Sequence, residues 1–303
     1  MSSTTCSACS TSPRSGCGVS SPIAPTSGAP RSGRVGPMAD GSLAFGITGG
    51  ARPWFGALAA EVERLGYVQL WANDTPGHAG LDALAEAATV TGELQLAVGV
   101  LGLSEWSPTA IAERVARLQL PSERLIIGLG SGRSRSVAIV EDGVAEVRRR
   151  LPEVRIVVAA LGPRMLAMAG RVADGVLLNW SVPQRIGTAR ATIRGAAAAA
   201  GRPAPWVAAY VRVAIGPGAR DRLRAEMDRY RRTGRWYAKA LDEQADGQLI
   251  GAAAGSAAEL APQLAAYLGA LDVTVVRALA ERDELDAWRA VAEAAAPRPF
   301  TTG

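Results

Sequence analysis

The stretch LAFGITGG, residues 43–50, decides between two folds. Its first five residues form an apolar run that reads as a strand buried on both faces, the mark of a parallel sheet covered by helices. A doubly wound sheet would follow such a first strand with a G-x-G-x-x-G phosphate turn. Here the turn reads Gly46-Ile47-Thr48-Gly49-Gly50, which does not fit. Working outward, similar short apolar runs recur at 68–72, 94–101, 125–129, 156–161, 176–179, 207–215 and 273–279. Helical patterns separate them. Phe55, Leu58, Val62 and Leu65 share one face, and Leu81, Leu84, Ala88 and Thr91 another. Ser107-Pro108 is a helix N-cap followed by proline at the first helical position; Pro163 opens a further helix, and Leu260, Leu264, Leu268 and Leu271 line a late one. Eight strand–helix units in about 260 residues predict an α/β fold, a compact TIM (β/α)8 barrel.

The barrel is expected to occupy residues 41–303 as one domain. Residues 1–40 are dominated by Ser, Thr, Gly and Pro, too poor in aliphatic side chains to offset chain entropy, and are expected to be a disordered tail. All three cysteines (Cys6, Cys9 and Cys17) lie in that tail, so the folded part has no disulfide framework. With His78 the sole histidine, no metal site is expected. No apolar run approaches the roughly 18 residues that span a bilayer, and the tail lacks the apolar core of a secretion signal. A cytoplasmic protein with no membrane partner is expected. The net charge of +5 is spread thinly. Its densest runs, Arg148–Arg150 and Arg229 to Arg235, read as solvated helix faces rather than a nucleic-acid stripe.

In a barrel of this type the chemistry sits where strands end and βα loops begin. The fourth strand runs into Gly128-Leu-Gly130-Ser131-Gly132-Arg133-Ser134-Arg135. Alternating glycines would let amides approach a ligand, Ser131 adds a hydroxyl, and Arg133 and Arg135 add charge near the next helix start, where amides favour an anion. The same run also suits a tight turn with exposed arginines. The fifth strand ends in Ala160-Leu161-Gly162-Pro163-Arg164-Met165. Pro163 at the first helical position leaves the amides of Arg164 and Met165 unpaired beside the first anion site, although an ordinary strand–helix junction would read alike. The second strand ends at Asn73 and Asp74. Asp74 could act as a general base or cap its loop, and His78 sits four residues on, in a Pro/Gly loop. No Ser-His-Asp grouping, nucleophile elbow or carboxylate pair for glycoside hydrolysis can be assembled at these ends. Chemistry carried by a bound organic cofactor, acting on a small-molecule substrate, remains.

Several stretches resemble the luciferase-like monooxygenase superfamily, whose members use a flavin or the deazaflavin coenzyme F420. They are EVERLGYVQLWAND (61–74), LAEAATVTGELQLAVGVLGL (84–103), ERLIIGLGSGR (123–133), VVAALGPRMLAMAGRVADGVLLNW (157–180) and YLGALDVTVV (267–276). Within the fourth, GPRMLAMAGRVADGV is similar to a signature of the deazaflavin-dependent branch. The resemblance implies a TIM barrel with the cofactor ring at its mouth and the cofactor phosphate between the loops after strands four and five. It matches Asp74 to a residue contacting the ring, Gly99-Val100 to a strand-three bulge that often holds a cis peptide bond, and Ser131, Gly132, Gly162, Pro163 and Arg164 to the phosphate side. The implied function is F420-dependent hydride transfer to or from a small organic substrate. The alternatives are an FMN-dependent monooxygenase and a non-catalytic flavin- or deazaflavin-binding protein. A homodimer through barrel helices is also implied. Three features depart from the family pattern. Thr75 stands where deazaflavin-dependent dehydrogenases commonly have histidine, Arg133 replaces an acidic residue of some members, and the usual long insertion between strands four and five is missing.

The catalytic candidates are therefore Asp74 and His78. The cofactor-binding candidates are Asn73, Asp74, Gly99, Val100, Gly130, Ser131, Gly132, Arg133, Ala160, Leu161, Gly162, Pro163, Arg164 and Met165.

Overall fold

Alternation along each strand sends one set of side chains into the barrel and the other against the helices. The computed structural model describes residues 41–50, 52–74 and 79–297. The tail, with its cysteines, and His78 lie outside the described residues. Nine strands are present among them: β1 (Ser42–Thr48), β2 (Gln69–Asn73), β3 (Gln95–Gly102), β4 (Leu125–Gly130), β5 (Arg155–Ala159), β6 (Gly175–Asn179), β7 (Trp206–Ile215), β8 (Ala252–Ala254) and β9 (Val273–Ala278). All pairings are parallel, and β1 to β7 with β9 close into a ring through β6–β7, β7–β9 and β9–β1. This is the expected TIM barrel, and the eight apolar runs of the sequence are its eight ring strands.

The helices are α1 (Phe55–Arg64), α2 (Gly80–Val90), α3 (Pro108–Arg117), α4 (Val137–Arg150), α5 (Pro163–Val172), α6 (Pro183–Ala199), α7 (Ala219–Thr233), α8 (Arg235–Ala245), α9 (Ala257–Leu268) and α10 (Leu285–Ala295). Ser107 caps α3 as expected, its hydroxyl accepting from the Ala110 amide at 3.1 Å. The expectation of one helix per strand fails after β7. There α7, α8, the short β8 and α9 all precede β9, and β8 pairs only with the end of β7, from Val213 to Ile215. Three alanines between glycines give no strand signal, so β8 is invisible in the sequence.

The outer core packs the sheet against its helices, with Phe45, Ile47, Leu70, Leu96, Ile127, Ile156 and Val211 buried there. The inner core is sparser: Ala44, Trp71, Ala97, Ile126, Val157, Leu177, Ala208, Tyr210, Val273 and Val275, with Val100 and Trp206 packed on it. Small residues here admit large ones from the opposite strand. A Cβ on Gly175 would stand 2.4 Å from the Trp206 indole, so that position has to be glycine. Trp71, which donates to Gln69 at 2.7 Å, and the Gln69–Gln95 pair at 3.1 Å supply the polar contacts low in the barrel. Large rings below therefore fill the interior, and space opens at the strand ends.

The arginine runs behave as solvated, ion-paired helix faces. Arg149 and Arg150 both reach Glu146, Arg229 reaches Glu226, and Arg231 reaches Asp228 and Asp242. Exposed pairs of this kind are each worth less than about 1 kcal/mol. Among the described residues no helix is long and apolar enough to cross a membrane, and no cluster of His, Cys, Asp and Glu is placed to hold a metal. Between β4 and β5 lie only one 3-10 turn (Gly132–Ser134) and α4, so the insertion missing from the sequence is absent from the fold too.

Candidate active site

At the strand ends a cavity of about 470 Å³ opens, lined mainly by apolar atoms. Its floor is an irregularity in β3. The register between β3 and β4 shifts between Val98 and Leu101, and the Gly99–Val100 peptide is cis. The Gly99 carbonyl there accepts from Asn73 Nδ2 at 2.9 Å and from Tyr210 Oη at 3.0 Å. A Cβ on Gly99 would lie 2.2 Å from the Tyr210 hydroxyl and 2.8 Å from the Trp71 ring. The floor is thus held from both sides, and burial pushes the Tyr210 phenol well above its ordinary range, keeping it a donor.

The glycines of β4 answer to this floor. A Cβ on Gly128 would meet the Val98 carbonyl oxygen at 2.3 Å, and one on Gly130 would meet Val100 Cγ2 at 2.9 Å. They make way for the displaced β3. Beyond them the Gly132–Ser134 turn leans on the loop after β3. The Arg133 amide donates to Ser104 Oγ at 2.9 Å and its guanidinium to Glu105 at 3.1 Å. The Arg133 side chain is 89% exposed and belongs to neither the cavity nor the depression described next. Arg135, in a left-handed conformation at φ 53°, borders both.

That depression lies between the starts of α4 and α5, lined by Arg135, Ser136, Val137, Ala138, Gly162, Pro163, Arg164 and Met165. Ser136 caps α4, accepting from the Ile139 amide at 3.3 Å. No side chain caps α5: its N-cap is Gly162, and a Cβ added there would meet nothing within 4 Å. The first amides of α5 consequently open on free space, an arrangement that attracts anions. Arg135, Gly162 and Met165 border both spaces, so the depression continues the cavity outward.

Asp74 borders the cavity with its carboxylate engaged: Oδ1 accepts from the Gly80 amide and Oδ2 from Trp106 Nε1, both at 2.9 Å. It clamps the start of α2 to the loop after β3, which favours the loop-capping side of the sequence alternatives. Asn73 Oδ1, beside it, is buried with no partner among the described residues. The sequence candidates thus come together as follows. Asn73, Asp74, Gly99, Val100, Gly130, Ser131, Gly132, Ala160, Leu161, Gly162 and Met165 line the cavity, Pro163 and Arg164 line the depression, and Arg133 stands apart.

Sequence reasoning missed the rings of the opposite wall. Leu177, Asn179 and Tyr210 from the strands, and Tyr230, Trp236 and Tyr237 from α7 and α8, complete the cavity. The rings interlock: Tyr230 and Tyr237 meet edge to face at 5.0 Å, Trp236 and Tyr237 at 3.6 Å, and Trp180 backs Tyr230 at 5.2 Å. Behind them Arg212, at 2% exposure, stacks on Trp180 at 4.1 Å and on Tyr230 at 4.9 Å. Arg277 lies near, its guanidinium held below its ordinary pKa first by burial and then by Arg212. The signal available in the sequence was three aromatic residues within eight positions of an otherwise arginine-rich stretch.

A family model described as luciferase-like monooxygenase matches residues 52–155 and 141–296. Solved structures share the fold. The coenzyme F420-dependent tetrahydromethanopterin reductase from Methanopyrus kandleri is 19% identical, with a TM-score of 0.65 over 84% of this chain and 97% of that one. An F420-dependent secondary alcohol dehydrogenase in complex with an F420-acetone adduct is 13% identical, TM-score 0.67, over 84% and 98%. The FMN-bound oxygenating constituent of 3,6-diketocamphane monooxygenase from Pseudomonas putida is 14% identical, TM-score 0.66, over 85% and 96%. At these identities the likeness speaks for the barrel alone, whereas the family model spans most of the chain. The chain belongs to the luciferase-like monooxygenase family.

Proposed function

We propose that the protein is an F420-dependent oxidoreductase that moves a hydride between the deazaflavin and a small organic substrate. One observation carries the reading: the apolar cavity over the Gly99–Val100 floor adjoins the depression between two helix starts, with Arg135, Gly162 and Met165 bordering both. That shape suits a planar ring with an anionic tail. The residues present fit such a group. Asn73 Oδ1 is a buried acceptor without a partner among the described residues at the ring end, and Gly162 leaves open space over the α5 amides at the tail end. Arg135 and Arg164 add two cations beside those amides. This is generous for a single phosphate and suits a tail whose negative charge continues past it.

When bound, the deazaflavin supplies a ring carbon that gives or takes a hydride. The chain's own residues do the rest. Asn73 and Tyr210 fix the Gly99 carbonyl, so the floor keeps one position under the ring. Val100, Leu161, Met165 and Leu177 exclude water around it. Asp74, tied to Gly80 and Trp106, orders the loops at the rim, and Arg135 and the α5 amides hold the tail. The opposite wall receives the substrate.

Two likenesses support a redox role, to F420-dependent enzymes and to an FMN-dependent monooxygenase. Titration of the purified chain with F420 and with FMN, read by quenching of coenzyme fluorescence, tests the choice. Saturable quenching of F420 at lower concentration than FMN is expected. Saturation by FMN alone would assign the flavin reaction instead, and no quenching of either would overturn both.

A further inference from the structure

Arg212 has no carboxylate within ion-pair distance among the described residues; its contacts are ring faces, the Tyr210 carbonyl at 3.5 Å and Asn179 Oδ1. A guanidinium can only donate, so Asn179 Oδ1 has to be the acceptor and Asn179 Nδ2 has to face the other way. There it donates to Tyr237 Oη at 3.0 Å. The Tyr237 oxygen is thereby committed to accepting, and its own hydrogen has no acceptor among the described residues. Both Asn179 and Tyr237 line the cavity. Burial first, then the neighbouring Tyr230, push the Tyr237 phenol up to about 12, so it stays protonated at neutral pH.

We infer that Tyr237 Oη is the group that holds the substrate, donating its free hydrogen to a neutral carbonyl oxygen on a planar molecule seated against Tyr230 and Trp236. The inference rests on the oxidoreductase reading above for the identity of that molecule as substrate. Its chemistry follows from the wall. Arg212 and Arg277 are sealed behind the aromatic rings and neither lines the cavity, so this wall offers no cation to pair with a carboxylate; the cation that does border the cavity, Arg135, stands at the tail end. On this wall the donor whose direction the structure fixes is Tyr237 Oη, polarised by the Arg212 charge through Asn179 and framed by ring faces. A carbonyl oxygen takes a single such donor without leaving a charge unpaired. Flat groups beside that oxygen suit the faces of Tyr230 and Trp236. Tyr237 is thus a positioning and specificity residue for the substrate, on the wall opposite the coenzyme.

The test uses para-dimethylaminocinnamaldehyde, a planar aldehyde whose absorption band moves to the red when its carbonyl accepts a hydrogen bond. Wild-type protein is expected to bind it with a red-shifted band. It should also favour it by about tenfold over the analogue lacking the carbonyl, para-dimethylaminostyrene, the upper range for one neutral hydrogen bond. Tyr237→Phe should erase both the shift and the preference while the hydrocarbon binds as before. Equal affinity of the wild type for the two compounds, an unshifted band, or no aldehyde binding would overturn the proposal, and these readouts need no variant. A shift retained in a folded Tyr237→Phe protein would overturn it as well. F420 titration run in parallel separates the two readings. F420 bound and aldehyde refused defeats this subsite alone, whereas aldehyde bound with its shift and F420 refused defeats the coenzyme reading alone.

Discussion

The wall of the cavity that follows β4 and β5 is built from backbone, and the wall on α7 and α8 is built from side chains. On the first, Gly162 leaves space, Pro163 sets the helical turn, and amides at the start of α5 face outward with Arg135 alongside. On the second, interlocked rings carry one hydroxyl whose direction is fixed by a buried cation two residues removed along a hydrogen-bonded chain. Backbone donors suit the invariant part of a reaction, a phosphorylated tail, because any sequence that makes the turn makes the site. Side chains suit the variable part, because single exchanges alter shape and polarity without disturbing the turn.

The floor joins the two walls, so breaking it should have the largest effect. Gly99→Val would drive a side chain into the Tyr210 hydroxyl and the Trp71 ring. Overpacking of this kind costs about 1–3 kcal/mol. At about 2–4 °C per kcal/mol for a domain of this size, calorimetry should register a lowered Tm, together with loss of both coenzyme and aldehyde binding. Next comes the backbone wall. Arg135→Glu places a negative charge between cavity and depression and is expected to weaken F420 by about tenfold or more in fluorescence titration, with aldehyde binding unchanged. If both ligands weaken together, the division between the walls is wrong. Smaller still is Asp74→Asn, which keeps one acceptor for the two donors of Gly80 and Trp106. About 1 kcal/mol of stability should go, visible as a shifted denaturant midpoint. The smallest effect is expected from Arg133→Glu. Since Arg133 is exposed and paired with Glu105 away from both spaces, F420 affinity should change by less than about threefold. Arg133 and Arg135 thus form a matched pair, two residues apart, of opposite expected consequence.

The same contrast explains what could be read in advance. The ring strands were legible because strands buried on both faces are continuous apolar runs, and the backbone wall was legible because Gly162-Pro163 is a local instruction for a turn and a helix start. The side-chain wall depends on where two helices come to rest, which no local pattern fixes. Tyr230 and Tyr237 belong to different helices separated by Gly234, and the arginines around them looked like a solvated surface. That reading is correct for Arg229 and Arg231 and hides the ring of Tyr230 between them and those of Trp236 and Tyr237 just beyond. The β4 glycines are ambiguous in the opposite direction. Their pattern resembles a phosphate cradle, yet Gly128 and Gly130 are small because β3 presses on them. Tertiary packing and ligand approach ask for the same residue, so sequence alone does not separate them.

The most direct measurement is a crystal structure of the full chain with F420. The expected density has the deazaflavin ring over the Gly99–Val100 peptide and the tail phosphate between Arg135 and the amides at the start of α5. The space beside Tyr237 should remain open for a substrate. A ring seated against Tyr230, Trp236 and Tyr237, or a phosphate bound away from the α4 and α5 helix starts, would contradict the assignment of the two walls.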